Sequence, residues 1–213
     1  MNWGGKRRGA GRKPKGEMAG VSHAPRPKLA ARHPVHVTVK LVKGLPSLRR
    51  KPVHALLRDC LAAGYARFGL HVVHYSLQSN HAHLMVEADD ERSLSRGMQG
   101  LCVRLARALN RLWRRTGRLF LERFHARILA TPREVRNALR YVLLNSAHHG
   151  ERFRDGLDPF SSAERFDGWK RAPATHICAE SSSASDPPRR FLGRARTWLL
   201  SKGWRIHGLL PRP

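Results

Sequence analysis

Four stretches of the chain have the residue pattern of β-strands. Between Val35 and Val42, apolar and polar residues alternate with the period of two that is typical of a strand with one face in solvent. Residues 70–77 and 81–88 are two further strand-like runs separated by three polar residues, so they predict a hairpin. Residues 119–129 form a fourth extended segment.

Three helices are predicted between and after these strands. The first covers about residues 52–68, and the second covers about 94–115, where leucine and methionine recur at helical spacing. Thr131 and Glu134 flank a first-turn proline as in a capping box, which predicts that a third helix begins at residue 132. This helix is expected to end near residue 147.

The order of these elements is strand, helix, strand, strand, helix, strand, helix. It predicts an α+β fold, a ferredoxin-like antiparallel sheet with helices on one face, over residues 35–170. Residues 1–34 hold too little apolar surface to fold alone, so they predict a disordered basic N-terminal arm. Residues 171–213 predict a linker rich in serine and proline, followed by a short basic amphipathic C-terminal extension.

The chain is strongly basic. Its 213 residues include 41 Lys and Arg against 15 Asp and Glu, which gives a formal net charge of +26. Such an excess destabilises the folded state through self-repulsion unless a polyanion binds, which indicates nucleic acid as the partner. No apolar run approaches the roughly 20 residues that span a bilayer, and no signal peptide is evident. We therefore expect a cytoplasmic protein without a membrane partner.

Two groups of cations are the predicted DNA contacts. One lies in the N-terminal arm, and the other recurs every three or four residues along the second helix, so that its members share one side. Solvated surface charge is the alternative for both groups, but four cations without acidic partners favour a phosphate-bound state. The predicted contacts are Arg7, Arg8, Arg12 and Lys13 in the arm, and Arg104, Arg107, Arg111 and Arg115 on the helix.

Two histidines flank an alanine at the start of the third predicted strand. Because residues two apart on a strand project to the same face, the imidazoles of His81 and His83 can meet one cation. A chain this rich in histidine produces such a pair readily by chance, so a structural or surface pair is the alternative. The hairpin turn before the pair and the arginine-lined helix after it favour a functional role.

A tyrosine and an asparagine lie one turn apart on the last predicted helix. Their spacing places Tyr141 and Asn145 on the same side of that helix, beside its apolar stripe. The alternative for Tyr141 is a boundary residue whose ring packs and whose hydroxyl is hydrated. An amide one turn further on could supply an oxygen to a metal ion.

These two motifs together resemble a known family. The sequence N-H-A-H-L-M-V at residues 80–86, followed by Y-V-L-L-N at residues 141–145, resembles the REP-associated tyrosine transposases of the HUH superfamily. The resemblance implies a nuclease core that cleaves single-stranded DNA beside a hairpin. It implies Tyr141 as the nucleophile and a divalent metal, Mg or Mn, held by His81, His83 and Asn145. A homodimer is a further assembly that the resemblance allows, since some relatives form crossed dimers.

Two other functions are compatible with the same residues. The first is a catalytically silent nucleic-acid-binding protein that keeps the fold of a transposase. The second is a metal-dependent hydrolase that activates water at the histidine pair, with Tyr141 in a structural role. A protein–DNA adduct that survives denaturation distinguishes the transposase from both.

Overall fold

The computed structural model contains a four-stranded antiparallel sheet flanked by helices, which confirms the predicted α+β class. It describes residues 27–65, 67–148, 153, 156–170 and 191–213. The main elements are β1 Val35–Lys40, α1 Lys51–Ala63, β2 Leu70–Leu77, β3 His81–Ala88, α2 Glu91–Leu112, β4 His125–Ile128, α3 Pro132–His148, β5 Trp169–Lys170, α4 Trp198–Ser201 and β6 Leu210–Pro211.

The strand order in the main sheet is β2-β3-β1-β4, and all neighbouring strands are antiparallel. This is the order of the ferredoxin-like fold, with β1 and β3 in the centre. The predicted hairpin of β2 and β3 has the bounds that the sequence indicated. The sheet therefore places the histidine pair, at the start of β3, on a central strand.

One face of the sheet carries the larger apolar core. The alternate residues Val35, Val37 and Val39 of β1 lie beside Leu84 and Val86 of β3, and all five side chains are buried. They pack in one cluster with the buried faces of α1 and α2. Because the apolar positions follow the strand period of two, the polar positions between them must point to the opposite face.

The opposite face is covered by α3. The predicted placement of helices on one face of the sheet holds for α1 and α2, but α3 packs on the other side. Its apolar stripe, Val135, Leu139 and Val142, belongs to a second core cluster with Met85, the β3 residue between Leu84 and Val86. The polar face of β1 is therefore not simply a solvent-facing surface.

Several element boundaries differ from those predicted. Helix α1 ends at Ala63 rather than at residue 68, because the chain turns at Gly64, whose N–H bonds to the Leu61 carbonyl at 3.1 Å. Helix α2 begins at Glu91, one turn earlier than predicted, because the Asp90 side chain accepts the Ser93 N–H at 2.6 Å.

The fourth strand is shorter than the predicted segment of residues 119–129. Leu41 faces Phe120 in an isolated bridge, whereas Thr38 faces His125, so five steps along one chain oppose three along the other. The extra residues interrupt the ladder, and regular pairing begins only at His125. The predicted start of α3 is confirmed: the Glu134 N–H donates to Thr131 Oγ1 at 3.2 Å, and the Thr131 N–H donates to Glu134 Oε2 at 3.1 Å.

The chain ends contribute to the core more than predicted. Leu29, within the predicted arm, is buried against the first cluster, while the prediction for residues 1–26 lies outside the described residues. The predicted linker, residues 171–190, also lies outside them. The predicted extension is part of the core, because Leu200 and Trp204 are buried with α3. Within the described ranges, no helix combines the length and apolar character needed to cross a membrane.

Candidate active site

The two histidines of β3 lie on the face covered by α3. As predicted, His81 and His83 share a face, and it is the face of Met85 in the second core cluster. Their Nε2 atoms are 3.0 Å apart, and their ring centroids are separated by 4.7 Å. The pair is therefore preorganised by the pleat of one strand.

The other ring nitrogen of each histidine contacts a polar side chain. His81 Nδ1 lies 2.8 Å from Asn80 Oδ1 in the hairpin turn. His83 Nδ1 lies 3.1 Å from Thr38 Oγ1 on the neighbouring strand. An amide oxygen only accepts, so this contact is a hydrogen bond when His81 carries a proton on Nδ1, and the neutral ring then presents a lone pair at Nε2.

The Thr38 hydroxyl can form a hydrogen bond with His83 in either tautomer of the imidazole. If His83 Nε2–H donates to His81, the Thr38 hydroxyl can donate to His83 Nδ1; if the proton moves to Nδ1, the same hydroxyl accepts it. In the second state both Nε2 atoms present lone pairs to the same point. Such polar neighbours commonly orient metal-binding histidines.

A third imidazole, that of His36, lies beside His83. His36 Nε2 lies 3.2 Å from His83 Nδ1. Burial, assisted by the nearby positive charges of His125 and Arg127, lowers the pKa of His36 to about 4. His36 is consequently neutral at pH 7, so it adds no positive charge that would oppose a cation beside His83.

Tyr141 stands over this cluster from α3. Its ring centroid is 5.0 Å from that of His83 and 5.9 Å from that of His36, both in edge-to-face geometry. The side chain is nevertheless 44% exposed. As predicted, Tyr141 lies beside the apolar stripe of α3 rather than in it, so its ring is available at the surface while its position is fixed by the helix.

An open cleft of about 470 Å³ lies between α3 and the sheet. Arg127 and His125 line it from β4. Arg127 also forms an ion pair with Glu134 at 3.1 Å. Because this pair is partly exposed, an incoming anion can compete for the guanidinium at low cost. The residues that line the cleft are His36, Thr38, His83, His125, Arg127, Leu129, Glu134, Asn137, Ala138 and Tyr141.

Asn145 occupies the next turn of α3. Its side chain is only 2% exposed, and its Nδ2 is the one buried side-chain nitrogen or oxygen among the described residues without a hydrogen-bond partner. An unpartnered buried N–H group costs about 1–3 kcal/mol, which the packing of α3 must offset. Among the described residues, no three His, Cys, Asp or Glu side chains form a metal-binding group, and an amide ligand would have to complete such a set.

The predicted arginine row lies away from this cleft. Helix α2 packs on the sheet face opposite the histidines. Arg104 Nε donates to the Cys60 carbonyl at 3.1 Å, and Arg115 donates to Asn110 Oδ1 at 2.7 Å, so both contribute to the fold. Arg107 and Arg111 are exposed. The predicted contacts Arg7, Arg8, Arg12 and Lys13 lie outside the described residues.

Sequence reasoning did not single out the residues that β1 and β4 bring to the site. The alternation of β1 predicts only that His36 and Thr38 lie on its polar side. His125 and Arg127 lie in the predicted extended segment of residues 119–129, whose pattern does not indicate which residues face the site. The signal was present in the alternation of β1, because His36 and Thr38 must share a face. What the sequence could not supply was the pairing of that face with His83 and its coverage by α3.

Comparisons with known proteins connect this geometry to one type of fold. No protein-family model and no curated protein matches the sequence. Among solved structures, a REP-associated tyrosine transposase bound to a REP hairpin is similar, with a TM-score of 0.57 and 16% sequence identity. The similarity covers 77% of this chain and 99% of the other. The chain therefore has a transposase-like fold.

Proposed function

We propose that this protein is a metal-dependent DNA transposase and endonuclease that cleaves and rejoins single-stranded DNA near hairpins through a 5′-phosphotyrosine on Tyr141. The observation that carries the proposal is the position of an exposed tyrosine ring directly over His83, at the mouth of a cleft that Arg127 also lines.

The chemistry of the donor set supports a divalent metal, Mg or Mn. Two nitrogens bound at about 2.0–2.1 Å to neighbouring positions of one ion lie roughly 3 Å apart, which fits the spacing of His81 Nε2 and His83 Nε2. Asn145, buried one turn beyond Tyr141 on α3, is the proposed third ligand through Oδ1. Imidazole ligands favour Mn over Mg, whereas the amide and bound water suit both. When bound, the ion would neutralise charge that develops on the phosphate oxygens.

The covalent step is carried by Tyr141. Its Oη attacks the phosphorus of a DNA phosphodiester, the new Oη–P bond forms, and the P–O3′ bond breaks. The phenolic proton leaves to solvent, and the departing 3′ oxygen takes up a proton as it becomes a hydroxyl. In the reverse step, a 3′-hydroxyl attacks the phosphotyrosine and releases the tyrosine, so joining requires no ATP.

The remaining residues of the cleft position the DNA. Arg127, His125 and Tyr141 line the same volume of about 470 Å³, where a phosphate group could contact the guanidinium. Thr38 and His36 hold His83 in place from below. The hairpin as a substrate feature is inferred from the REP hairpin bound by the structurally similar transposase.

Detection of a covalent adduct tests the proposal. A labelled single-stranded hairpin DNA is incubated with protein and Mn²⁺ or Mg²⁺, and the products are separated on a denaturing gel. We expect an adduct with the wild type and none with Tyr141→Phe, because only the nucleophilic oxygen is removed. Tyr65→Phe is the matched control, since Tyr65 is a partly exposed tyrosine outside the cleft, and it should form the adduct normally.

Each contrary outcome identifies an alternative. Binding without cleavage by the wild type indicates a silent nucleic-acid-binding protein. Cleavage that continues in Tyr141→Phe without an adduct indicates a hydrolase that uses water. An adduct that persists in Tyr141→Phe contradicts the assignment of the nucleophile.

A further inference from the structure

A second pocket lies on the α3 side of the sheet, at the far end of β3 from His81. It has a volume of about 350 Å³ and shares no lining residue with the cleft beneath Tyr141. One wall is formed by Glu87 and the residues after it, and another by the chain segment that leads into α4. At about 3.3 Å per residue, Glu87 is roughly 13 Å along β3 from His83, on the same face.

The outer wall of this pocket is an exposed tryptophan held in a fixed position. Trp198 is 58% exposed, although it is one of the largest apolar side chains in the chain. Its ring lies against Gly203, where an added Cβ would come within 2.5 Å of the indole. Gly203 therefore lets the ring lie flat on the backbone. Thr197 fixes the start of α4 by accepting the Leu200 N–H at 3.2 Å.

A buried carboxylate anchors this wall to the sheet. Glu87 accepts the N–H of Arg196 at 2.8 Å, and it accepts both the N–H and the hydroxyl of Thr197 at 2.8 Å. A buried carboxylate is tolerated only when such donors compensate for its lost hydration. Glu87 therefore fixes the backbone on which Trp198 sits, so the exposed indole is preorganised rather than loosely attached.

Two arginines and two carboxylates, Glu87 and Asp89, line the pocket. Arg32 and Arg196 both line it and are exposed, and Arg196 Nη1 lies 2.5 Å from His71 Nε2. Asp89 supplies an acceptor at the same site. Cations beside an aromatic face suit an anionic ligand that carries a planar ring.

We propose that this pocket binds an unpaired nucleotide of single-stranded nucleic acid, with the base stacked on Trp198 and the phosphate held by Arg32 and Arg196. The inference rests on the proposed DNA substrate and adds a second contact to it, outside the cleft. Stacking on an aromatic ring beside a basic groove is the general mode of binding for unpaired bases. The two exposed arginines at the rim favour this ligand over an apolar protein surface, which would offer the guanidinium groups no anionic partner.

Binding of a labelled oligothymidylate, measured by fluorescence anisotropy, tests this pocket. Stacking contributes roughly 1–3 kcal/mol per base, so Trp198→Ala should weaken binding by about fivefold to 150-fold. Trp198→Phe keeps a stacking ring and should retain most of the affinity. Ile206→Ala is the matched control, because Ile206 is 66% exposed on the same C-terminal segment and lines neither site, and it should bind as the wild type does.

Unchanged affinity of Trp198→Ala for the oligonucleotide would overturn the inference. If that variant also loses self-association in sedimentation, Trp198 is instead a contact between copies of the chain. Trp198→Phe guards against misfolding, since it leaves the segment packed.

The covalent assay separates this inference from the proposed function. At saturating DNA, Trp198→Ala should still form the adduct through Tyr141. If the wild type forms no adduct but binds DNA through Trp198, the proposed chemistry fails and the nucleotide pocket stands. If adducts form and Trp198→Ala binds normally, the nucleotide pocket fails and the chemistry stands.

Discussion

The two faces of the central sheet use the same strands for different purposes. On the side of α1 and α2, strand residues such as Leu84 are apolar and 1% exposed, and they form the larger core. On the side of α3, the neighbouring position His83 is just as enclosed, at 4% exposed, but it is polar and bonded to polar partners. One face is an apolar core, and the other combines a second apolar cluster with the candidate site.

This difference shows why one strand can carry both roles. Adjacent residues of β3 point to opposite sides, so Leu84 and His83 can be changed separately. The polar face is not a solvent face, because α3 and the C-terminal segment cover it and Glu87 is buried there. Substitutions that act on one face only are therefore the sharpest way to break the comparison.

The largest expected effect follows from removing an imidazole on the active face. His83→Ala and His81→Ala should each lower the cleavage rate by at least about a hundredfold, because a metal contributes several kcal/mol to such a reaction. Single-turnover cleavage of the hairpin DNA measures this loss. His207→Ala, an exposed histidine of the C-terminal segment, should cleave at the wild-type rate. Normal cleavage by the His81→Ala, His83→Ala double variant would remove the pair from the mechanism.

Leu84, the adjacent residue on the core face, should affect the stability of the protein and not its cleavage rate. Leu84→Ala is expected to lower the free energy of unfolding by about 2–5 kcal/mol, because it leaves a cavity in a packed core. Urea unfolding measures this cost. The cleavage rate per folded molecule should stay unchanged, and a folded Leu84→Ala protein that cannot cleave would show that the two faces are not separable.

A smaller effect is expected from the hydroxyl that contacts His83. Thr38→Val keeps the shape of the side chain but removes the partner of Nδ1, and such changes typically lower metal affinity by about tenfold to a hundredfold. Calorimetric titration with Mn²⁺ measures the metal affinity, and Thr38→Ser should restore most of it. Equal affinity in Thr38→Val and the wild type would mean that the hydroxyl does not orient the ligand.

The smallest effect concerns the arginines on the outer side of α2. Arg107→Ala and Arg111→Ala should each lower the salt slope of log affinity by about 0.7 on single strands, the value for one phosphate contact. Arg104 and Arg115 are less suitable probes because they bond to protein atoms. Anisotropy titrations at several salt concentrations measure the slope, with Arg127→Ala as the comparison on the active face. An unchanged slope in both α2 variants would restrict DNA to the side of α3.

Features specified by short stretches of chain were predicted well. The hairpin, the capping box at Thr131 and Glu134, and the shared face of His81 and His83 each depend on residues a few positions apart. Local periodicity and local hydrogen bonds determine such features, so the sequence states them directly.

Features that depend on distant contacts were missed. The coverage of His36 by α3 and the burial of Trp204 follow from packing between segments far apart in sequence. Glu87 reads as a surface residue in the sequence, and only its bonds to Arg196 and Thr197 explain its burial. The early end of α1 at Gly64 was missed because the helical pattern continued beyond it. Tertiary structure decided each of these cases.

The most direct test of the central claim locates the covalent bond itself. After reaction with hairpin DNA and nuclease digestion, trypsin should release the peptide that begins at Tyr141. Trypsin cleaves after Lys and Arg, and the first such residue after Arg140 is Arg152. Mass spectrometry should then find one nucleotide phosphate attached to that peptide, on the tyrosine oxygen. A nucleotide on any other residue, or an adduct-free digest from protein that has cleaved its DNA, would contradict the account.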